Sequence, residues 1–534
     1  MDLATLKEAC SQYKKPTEFK PSYGTAGFRA DASVLSSTVF RCGLLMAMRA
    51  LKTGSVTGLV VTASHNPVED NGVKLVEPTG YMLDQAWEVW ANKLAAADDA
   101  DDTCAVIQEL FQAEDIPYGS GTVMLAHDTR PSADTLVKAA AAGVAAMGSL
   151  PIACGLLTTP QLHWMVRQCN ARLKHKEKAY FEALATGYAR LVSGTQALGE
   201  GLVVDCANGV GAAKLQVLAD RLAPGMAAEL RNTDGAEGRG LNESCGADFL
   251  QKERRLPAGF HDVPDGARCA SLDGDADRLV YFRRHGSELE LFDGDRIAVL
   301  AALLVMNILK MLPATEQQAP FTVGIVQTAY ANGASTAYIK ERLRAEVRLT
   351  PTGVKHLHAA AEEFDVGIYF EANGHGTVLF SAALVQRLHE LGDESAPAKA
   401  LLALVDMVNQ AVGDALSGVL LVEAALRRKG WGLDQWAALY TDLPSRQLKV
   451  KVADRSVVAT SHAETRVVSP AGLQLLIDDA VAAAPQGRAF VRPSGTEDVV
   501  RVYAEAASRA AADDLARAVA RAVHATTAGV GPPP

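Results

Sequence analysis

One pattern recurs along the chain: a short apolar, β-branched run, then a loop of Gly, Asp, Asn and small polar residues, usually followed by a helical stretch. Leu59 to Thr62 leads into Ala63-Ser64-His65-Asn66-Pro67, and Thr122 to Ala126 into His127-Asp128-Thr129-Arg130. Leu202 to Asp205 leads into Cys206-Ala207-Asn208-Gly209, and Phe321 to Gln327 into Thr328-Ala329-Tyr330-Ala331-Asn332-Gly333. Strands alternating with helices predict α/β architecture with mostly parallel sheets. In such sheets ligands bind beyond the carboxyl ends of the strands, where these loops lie. The uncharged run Ala139 to Leu157, interrupted by Pro151, predicts a helix leading into a buried strand, and Ile297 to Leu309 predicts a core helix too short to span a membrane. Towards the end, Leu448 to Val452 reads as a strand, Leu473 to Ala484 as a helix, and Ala489 to Ala504 as two strands around a loop. This is a smaller α+β unit with a disordered tail from Gly529 to Pro534. Boundaries fall in the polar stretch 167–200, near Asp293 to Arg296, and near Asp442 to Ser445.

Composition narrows the class. The 534 residues predict about three to four domains. With 49% hydrophobic and 21% charged residues, the chain is globular rather than disordered. A net charge of −10 without a Lys/Arg block counts against nucleic acid as the main partner. No apolar signal core opens the chain, and eight cysteines without a CxxC pair point to reduced thiols in the cytosol rather than zinc or dithiol chemistry.

Four stretches carry candidate chemistry. In Val61-Thr62-Ala63-Ser64-His65-Asn66-Pro67, a serine after a strand can present a nucleophilic hydroxyl, provided a base, metal or cationic pocket activates it. Capping of a following helix is the other reading of Ser64. In Ser271-Leu272-Asp273-Gly274-Asp275-Ala276-Asp277-Arg278, carboxylates at i, i+2 and i+4 repel one another unless a cation sits among them, and Gly274 lets the chain bend around it. Oxygen-only ligands favour Mg²⁺ over zinc, and the pattern is not an EF-hand. The alternative is a solvated acidic turn. In Phe490-Val491-Arg492-Pro493-Ser494-Gly495-Thr496-Glu497 with Arg501, two hydroxyls, a glycine amide and two guanidiniums suit a phosphate dianion; a plain hairpin turn is the alternative. In Tyr369 to Gly376, Glu371, Asn373 and His375 can bond several sugar hydroxyls, although Asn373-Gly374 alone reads as an ordinary turn corner. Together the four fit phosphoryl transfer on a phosphorylated sugar.

In this order the motifs resemble the α-D-phosphohexomutase superfamily, with closest similarity to its eukaryotic phosphoacetylglucosamine mutase branch. The branch-specific stretches are Gly155 to His163, Leu241 to Asp248, Glu371 to Gly376 and Leu443 to Leu448, and the resemblance runs from about Tyr23 to about Ala506. It implies an α/β fold of four domains around a central cleft: three similar mixed-sheet α/β units and a smaller C-terminal α+β domain. The expected divisions are 1–180 with the serine loop, 181–295 with the metal loop, 296–442 with the sugar loop, and 443–534 with the phosphate loop.

The resemblance also implies a phosphorylated Ser64 that donates its phosphate to a sugar monophosphate. The bisphosphate then turns around and returns its other phosphate, interconverting N-acetylglucosamine 6-phosphate and 1-phosphate on the way to UDP-N-acetylglucosamine. By the same resemblance, Asp273, Asp275, Asp277 and a Ser64 phosphoryl oxygen hold Mg²⁺, and a sugar 1,6-bisphosphate is activator and intermediate. Glu371, Ala372 and Asn373 hold the sugar. Arg492, Pro493, Ser494, Gly495, Thr496 and Arg501 hold the phosphate not being transferred. Arg29, Lys74, His375 and Arg278 are candidates for charge stabilisation and proton transfer, with the base left open. The implied partner is a small sugar phosphate, not a nucleic acid or a membrane. Competing readings are another phosphohexomutase, a metal-dependent phosphatase using Ser64, and an inactive sugar-phosphate binder.

Overall fold

The computed structural model describes residues 3–223, 225–286, 288–313, 321–392, 394–494 and 497–533. Two compact units emerge: Met1–Asp293 with Asn373–Thr377 and Leu388–Gly430, and Gly294–Ala372 with Val378–Arg387 and Trp431–Pro534.

The first unit contains two five-stranded sheets. Strands β1 (Phe28–Asp31), β2 (Thr57–Val61), β3 (Asp70–Val76), β4 (Thr122–His127) and β5 (Leu150–Leu156) lie in the order β1-β3-β2-β4-β5. β2 is buried throughout, so its carboxyl end delivers the serine loop from a rigid base. Helices Ser36–Thr53 and Ala133–Ala146 touch backbone to backbone, which only glycine permits: a Cβ on Gly43 would lie 2.2 Å from the Ala140 carbonyl, and one on Gly143 2.0 Å from that of Phe40. Strands β6 (Leu202–Asp205), β7 (Ala228–Arg231), β8 (Cys269–Leu272), β9 (Leu279–His285) and β10 (Glu288–Phe292) form the second sheet in the order β10-β9-β8-β6-β7. The buried helix Ala415–Lys429 is capped by Asp414, whose carboxylate accepts from the Leu416 and Ser417 amides.

The second unit contains β11 (Val323–Thr328), β12 (Glu346–Thr350), β13 (Val366–Phe370) and β14 (Gly376–Phe380) in the order β12-β11-β13-β14, together with the core helix Gly294–Leu309. It also contains β15 (Ser445–Lys451), the short hairpin β16 (Ala459–Ser461) and β17 (Arg466–Ser469), then β18 (Arg488–Pro493) and β19 (Val499–Glu505). Strands β15, β19 and β18 form an antiparallel sheet covered by helices Leu473–Ala483 and Arg509–Thr526 around a Val- and Ala-rich core.

Four expectations are corrected. The first two sheets are mixed rather than mostly parallel, because β3 returns antiparallel between β1 and β2, and β9 and β10 add an antiparallel edge. β5 is not buried: it pairs with β4 alone at the sheet edge, and Leu150, Ile152 and Leu156 are exposed. An apolar strand sequence does not distinguish edge from centre. No helix follows Ser64, so it caps none; the chain turns and enters β3 at Asp70. The tail is held at least to Val530, whose amide donates to the Lys451 carbonyl at 2.9 Å beside a Val452–Gly529 bridge. Strand β15 leaves backbone groups there for the chain end to pair with. Among the described residues no helix is long and apolar enough to cross a membrane.

Candidate active site

Ser64 is fully buried and has a left-handed backbone (φ 53°), a conformation costing a non-glycine residue about 1–3 kcal/mol. Its neighbours hold it there. The Ser64 amide donates to Thr62 Oγ1 at 3.0 Å, and that hydroxyl donates to Asp128 at 2.6 Å. Its carbonyl accepts from Arg130 Nη2 at 3.1 Å and Asn242 Nδ2 at 2.9 Å. Arg130, buried on Asp128, also donates to the carbonyls of Asn66, Pro67 and Asp70, so one guanidinium organises the whole turn. The Ser64 hydroxyl is left pointing at Asp273 Oδ2, to which it donates at 2.6 Å.

Asp273, Asp275 and Asp277 follow β8 and present carboxylate oxygens within 4.8 Å of one another, the one such metal-competent cluster among the described residues. The left-handed residue in this loop is Ala276 (φ 56°), not Gly274. Gly274 instead permits close approach, since a Cβ there would lie 2.5 Å from the Ser64 carbonyl, while Gly209 presses on it from the loop after β6. Asp273 Oδ1 accepts from the Asp277 and Arg278 amides. Lys74 Nζ, from β3, donates at 2.6 Å to both Asp275 and Asp277, and Thr159 Oγ1 adds a 2.5 Å bond to Asp275.

The electrostatics follow from this crowding. Burial, with Asp277 and Asp275 beside it, pushes Asp273 well above the carboxylate range. Burial also opposes ionisation of Asp277, but Lys74 and His375 overcome it and hold that group well below the range. Asp275 is likewise held low by Lys74 and Thr159 against burial and Asp277. Lys74 is pushed above its ordinary value, because the two carboxylates outweigh its burial.

The remaining candidates surround this centre. Arg278 donates to Asp248 at 3.0 Å, with Asp277 and Asp273 at 3.8 and 4.0 Å. Asp248 also receives Lys252 at 2.5 Å. His375 presents Nδ1 to Asp277 at 3.4 Å, and a Cβ on Gly413 would lie 2.9 Å from its Nε2. His65 Nδ1 lies 3.5 Å from the Ser64 hydroxyl, and burial with Arg278 nearby lowers it to about 3, so it is neutral. Arg29, exposed on β1, reaches Asn66 at 3.4 Å. Asn373 accepts from the His375 amide, and Gly374, at φ 87°, lies against the Leu279 backbone. The first unit therefore gathers Ser64, the three aspartates, Lys74, Arg278, His375, Arg29 and Asn373.

Glu371, Ala372, Arg492, Pro493, Ser494 and Arg501 belong to the second unit; Gly495 and Thr496 lie outside the described residues. Arg492 on β18 and Arg501 on β19 are directly paired across the sheet. Like charges so placed repel and invite an anion.

The residues missed from sequence are the supports: Arg130, Asn242, Thr159 and Asp248. Each lies in a stretch already notable as a loop or branch motif, but nothing local gave it a role.

The donor set suits a divalent cation. Three buried carboxylates converge, and Asp275 Oδ1 is buried without a hydrogen-bond partner. All ligands are oxygen, the preference of Mg²⁺.

A serine hydroxyl strained onto a buried carboxylate triad, within α/β domains that end in a small two-arginine α+β domain, defines the class of α-D-phosphohexomutases. Family models agree along the chain. Residues 43–102 and 97–174 match phosphoglucomutase/phosphomannomutase domain I, and residues 448–522 its C-terminal domain. Residues 177–280 and 293–431 match domains II and III of phosphoacetylglucosamine mutase AMG1. The chain is 48% identical to Arabidopsis thaliana phosphoacetylglucosamine mutase over 98% of each. A crystal structure of Aspergillus fumigatus N-acetylphosphoglucosamine mutase with GlcNAc-6P and magnesium superposes with a TM-score of 0.93 at 45% identity, covering 98% of this chain and 99% of that one. A serine-to-alanine variant of the fungal enzyme with glucose 1,6-bisphosphate matches at 0.91 and 44% identity over the same shares. The chain belongs to the phosphoacetylglucosamine mutase family and is an isomerase.

Proposed function

We propose that this chain interconverts N-acetylglucosamine 6-phosphate and N-acetylglucosamine 1-phosphate through a phosphorylated Ser64 and a sugar 1,6-bisphosphate, in the cytosolic supply of UDP-N-acetylglucosamine. The observation that carries the reading is the Ser64 hydroxyl, 2.6 Å from Asp273 at the head of the carboxylate triad. The GlcNAc-6P, magnesium and bisphosphate bound by the fungal relatives support the substrate and the ion. Eight free thiols support a reducing compartment.

In the forward step the phosphorus–Oγ bond of phosphoserine breaks as a bond forms to the sugar's O1; the O1 hydroxyl loses its proton and the freed Ser64 Oγ takes one up, so the step balances. After the bisphosphate turns around, its 6-phosphate returns to Ser64 Oγ. When bound by Asp273, Asp275, Asp277 and the Ser64 phosphoryl group, Mg²⁺ supplies charge neutralisation at the transferring phosphate. Lys74, held protonated by Asp275 and Asp277, contributes charge rather than accepting a proton. His375 orients Asp277 from behind. Arg278, fixed by Asp248, and Arg29 complete the cationic side. Glu371, Ala372 and Asn373 hold the sugar. Arg492, Pro493, Ser494, Gly495, Thr496 and Arg501 hold the phosphate that is not moving. Functional divisions near residues 180, 295 and 442 separate the serine, metal, sugar and phosphate loops.

The test is a coupled assay for N-acetylglucosamine 1-phosphate formed from the 6-phosphate with Mg²⁺ and a trace of bisphosphate, wild type beside Ser64→Ala. Turnover that collapses in the variant supports substrate and mechanism together. Equal turnover sinks the serine role, activity on glucose 1-phosphate alone sinks the substrate, and phosphate release outpacing isomerisation makes the chain a phosphatase.

A further inference from the structure

Arg492, paired across the sheet with Arg501, has a carboxylate beside it that no motif announced. Glu464 Oε1 lies 3.7 Å from Arg492 Nε. Its other oxygen, Oε2, accepts from both the amide and the hydroxyl of Thr352, at 2.9 and 2.5 Å. Thr352 belongs to the loop Pro351-Thr352-Gly353-Val354-Lys355-His356 after β12, so one carboxylate ties that loop to the two-arginine strand pair. The turn carrying Glu464 is strained: His462, Ala463 and Glu464 are all left-handed, at φ 52°, 55° and 67°. Non-glycine residues rarely adopt that region, so three in succession mark a turn that its surroundings hold in place. Tyr330 also bonds Arg492, and its burial raises its pKa, so it stays an uncharged phenol. Glu464 is thus the anion that Arg492 faces before any phosphate arrives.

We propose that Glu464 is a positioning residue of the phosphate cradle: its carboxylate stands in for the substrate phosphate on Arg492 and takes the guanidinium back when that phosphate leaves. This rests on the reading that Arg492, Ser494 and Arg501 bind the phosphate not being transferred. A bisphosphate that must let go, turn around and bind again by its other end is slowed by a cradle that grips too tightly. An internal carboxylate already on Arg492 weakens the grip and speeds the release. The two Thr352 donors set how much of the carboxylate's charge remains for Arg492.

Steady-state kinetics on the full chain test this, with wild type, Glu464→Gln, Arg492→Gln and the double variant, alongside binding of N-acetylglucosamine 6-phosphate in a Ser64→Ala background. Glutamine keeps the shape and an acceptor for Thr352 but loses the charge. Glu464→Gln is expected to lower both KM and Kd about fivefold, the worth of a partly exposed charge pair, and to lower kcat by a similar factor. Arg492→Gln is expected to raise KM at least tenfold, and Glu464→Gln added to it to change nothing further. If Arg492→Gln raises KM but Glu464→Gln raises it too or leaves it unchanged, the inference falls and the cradle stands. If Arg492→Gln leaves KM unchanged, the cradle reading falls. Should Glu464→Gln fail to fold, Thr352→Val carries the test: with one donor removed, the carboxylate holds Arg492 harder and KM rises, and an unchanged KM overturns the proposal.

Discussion

The backbone of Gly274 rests on the carbonyl of Ser64, so closely that a Cβ at residue 274 would lie 2.5 Å from that oxygen. The nucleophile loop and the metal loop are separated by some two hundred residues of chain, yet they meet without any side chain between them. That contact sets the 2.6 Å distance from the Ser64 hydroxyl to Asp273. Gly274→Ala also meets Asn242 and Leu241 at 3.0 and 3.1 Å, so relief comes only by moving the loops apart. A displacement of about 1 Å at reacting groups costs about 10²-fold in rate. The expected result is a kcat lowered by about that factor with cooperative thermal unfolding retained. Wild-type turnover in this variant would show that the two loops need not touch.

The carboxylate triad predicts a metal-dependent stability. Asp275 Oδ1 is buried without a hydrogen bond, and burial with its neighbours pushes Asp273 up in the absence of a cation. Mg²⁺ added to chelator-treated protein is expected to raise the melting temperature; at a hundredfold excess over Kd the gain is about 2.7 kcal/mol. Asp275→Asn is expected to abolish that rise and to lower turnover by at least about 10²-fold. Differential scanning calorimetry with and without Mg²⁺ reads both; an equal Mg²⁺ shift in the variant would remove Asp275 from the ligand set.

His163 predicts a pH dependence of folding. On helix Thr159–Asn170 it is buried, with Nδ1 against the Gly80 carbonyl at 2.6 Å and Nε2 unpartnered. Burial, with Lys74 nearby, lowers it to about 4. An unfolded histidine titrates near 6.5, so between those values the unfolded chain holds the proton and the folded chain does not. Stability from this group is therefore full above about pH 6.5 and is lost as pH falls toward 4, on the order of 3 kcal/mol in all. His163→Gln is expected to flatten the fall in denaturation midpoint between pH 6.5 and 5. Parallel slopes for variant and wild type would assign the acid sensitivity elsewhere.

Much of the site was legible because its parts are contiguous. The aspartates at i, i+2 and i+4, the serine loop after β2, and the Arg-Pro-Ser stretch of β18 each state their chemistry within eight residues. The strands of the last sheet were legible for the same reason: the short apolar runs within Leu448 to Val452 and Ala489 to Ala504 are a local property. The supports were not. Arg130 and Asn242 hold the Ser64 carbonyl from 66 and 178 residues away. Neither a buried arginine clamp nor the three left-handed residues before Thr465 leave a periodic trace. β5 was misjudged because burial depends on how many neighbours a strand acquires, which its own residues do not encode.

Residue types and short spacings thus carry the reaction class: a hydroxyl, a hard-cation cluster and a phosphate-binding pair of arginines are chemical statements wherever they fold. Assembly decided which groups are charged and which are strained. Asp273 is pushed up while Asp277, four residues on, is driven down, because only the folded chain puts Lys74 and His375 beside one and not the other. Burial and Coulomb interactions sum over neighbours in space. The balance that turns three similar aspartates into unequal partners, and sets Glu464 against Arg492, therefore exists only once distant strands have met.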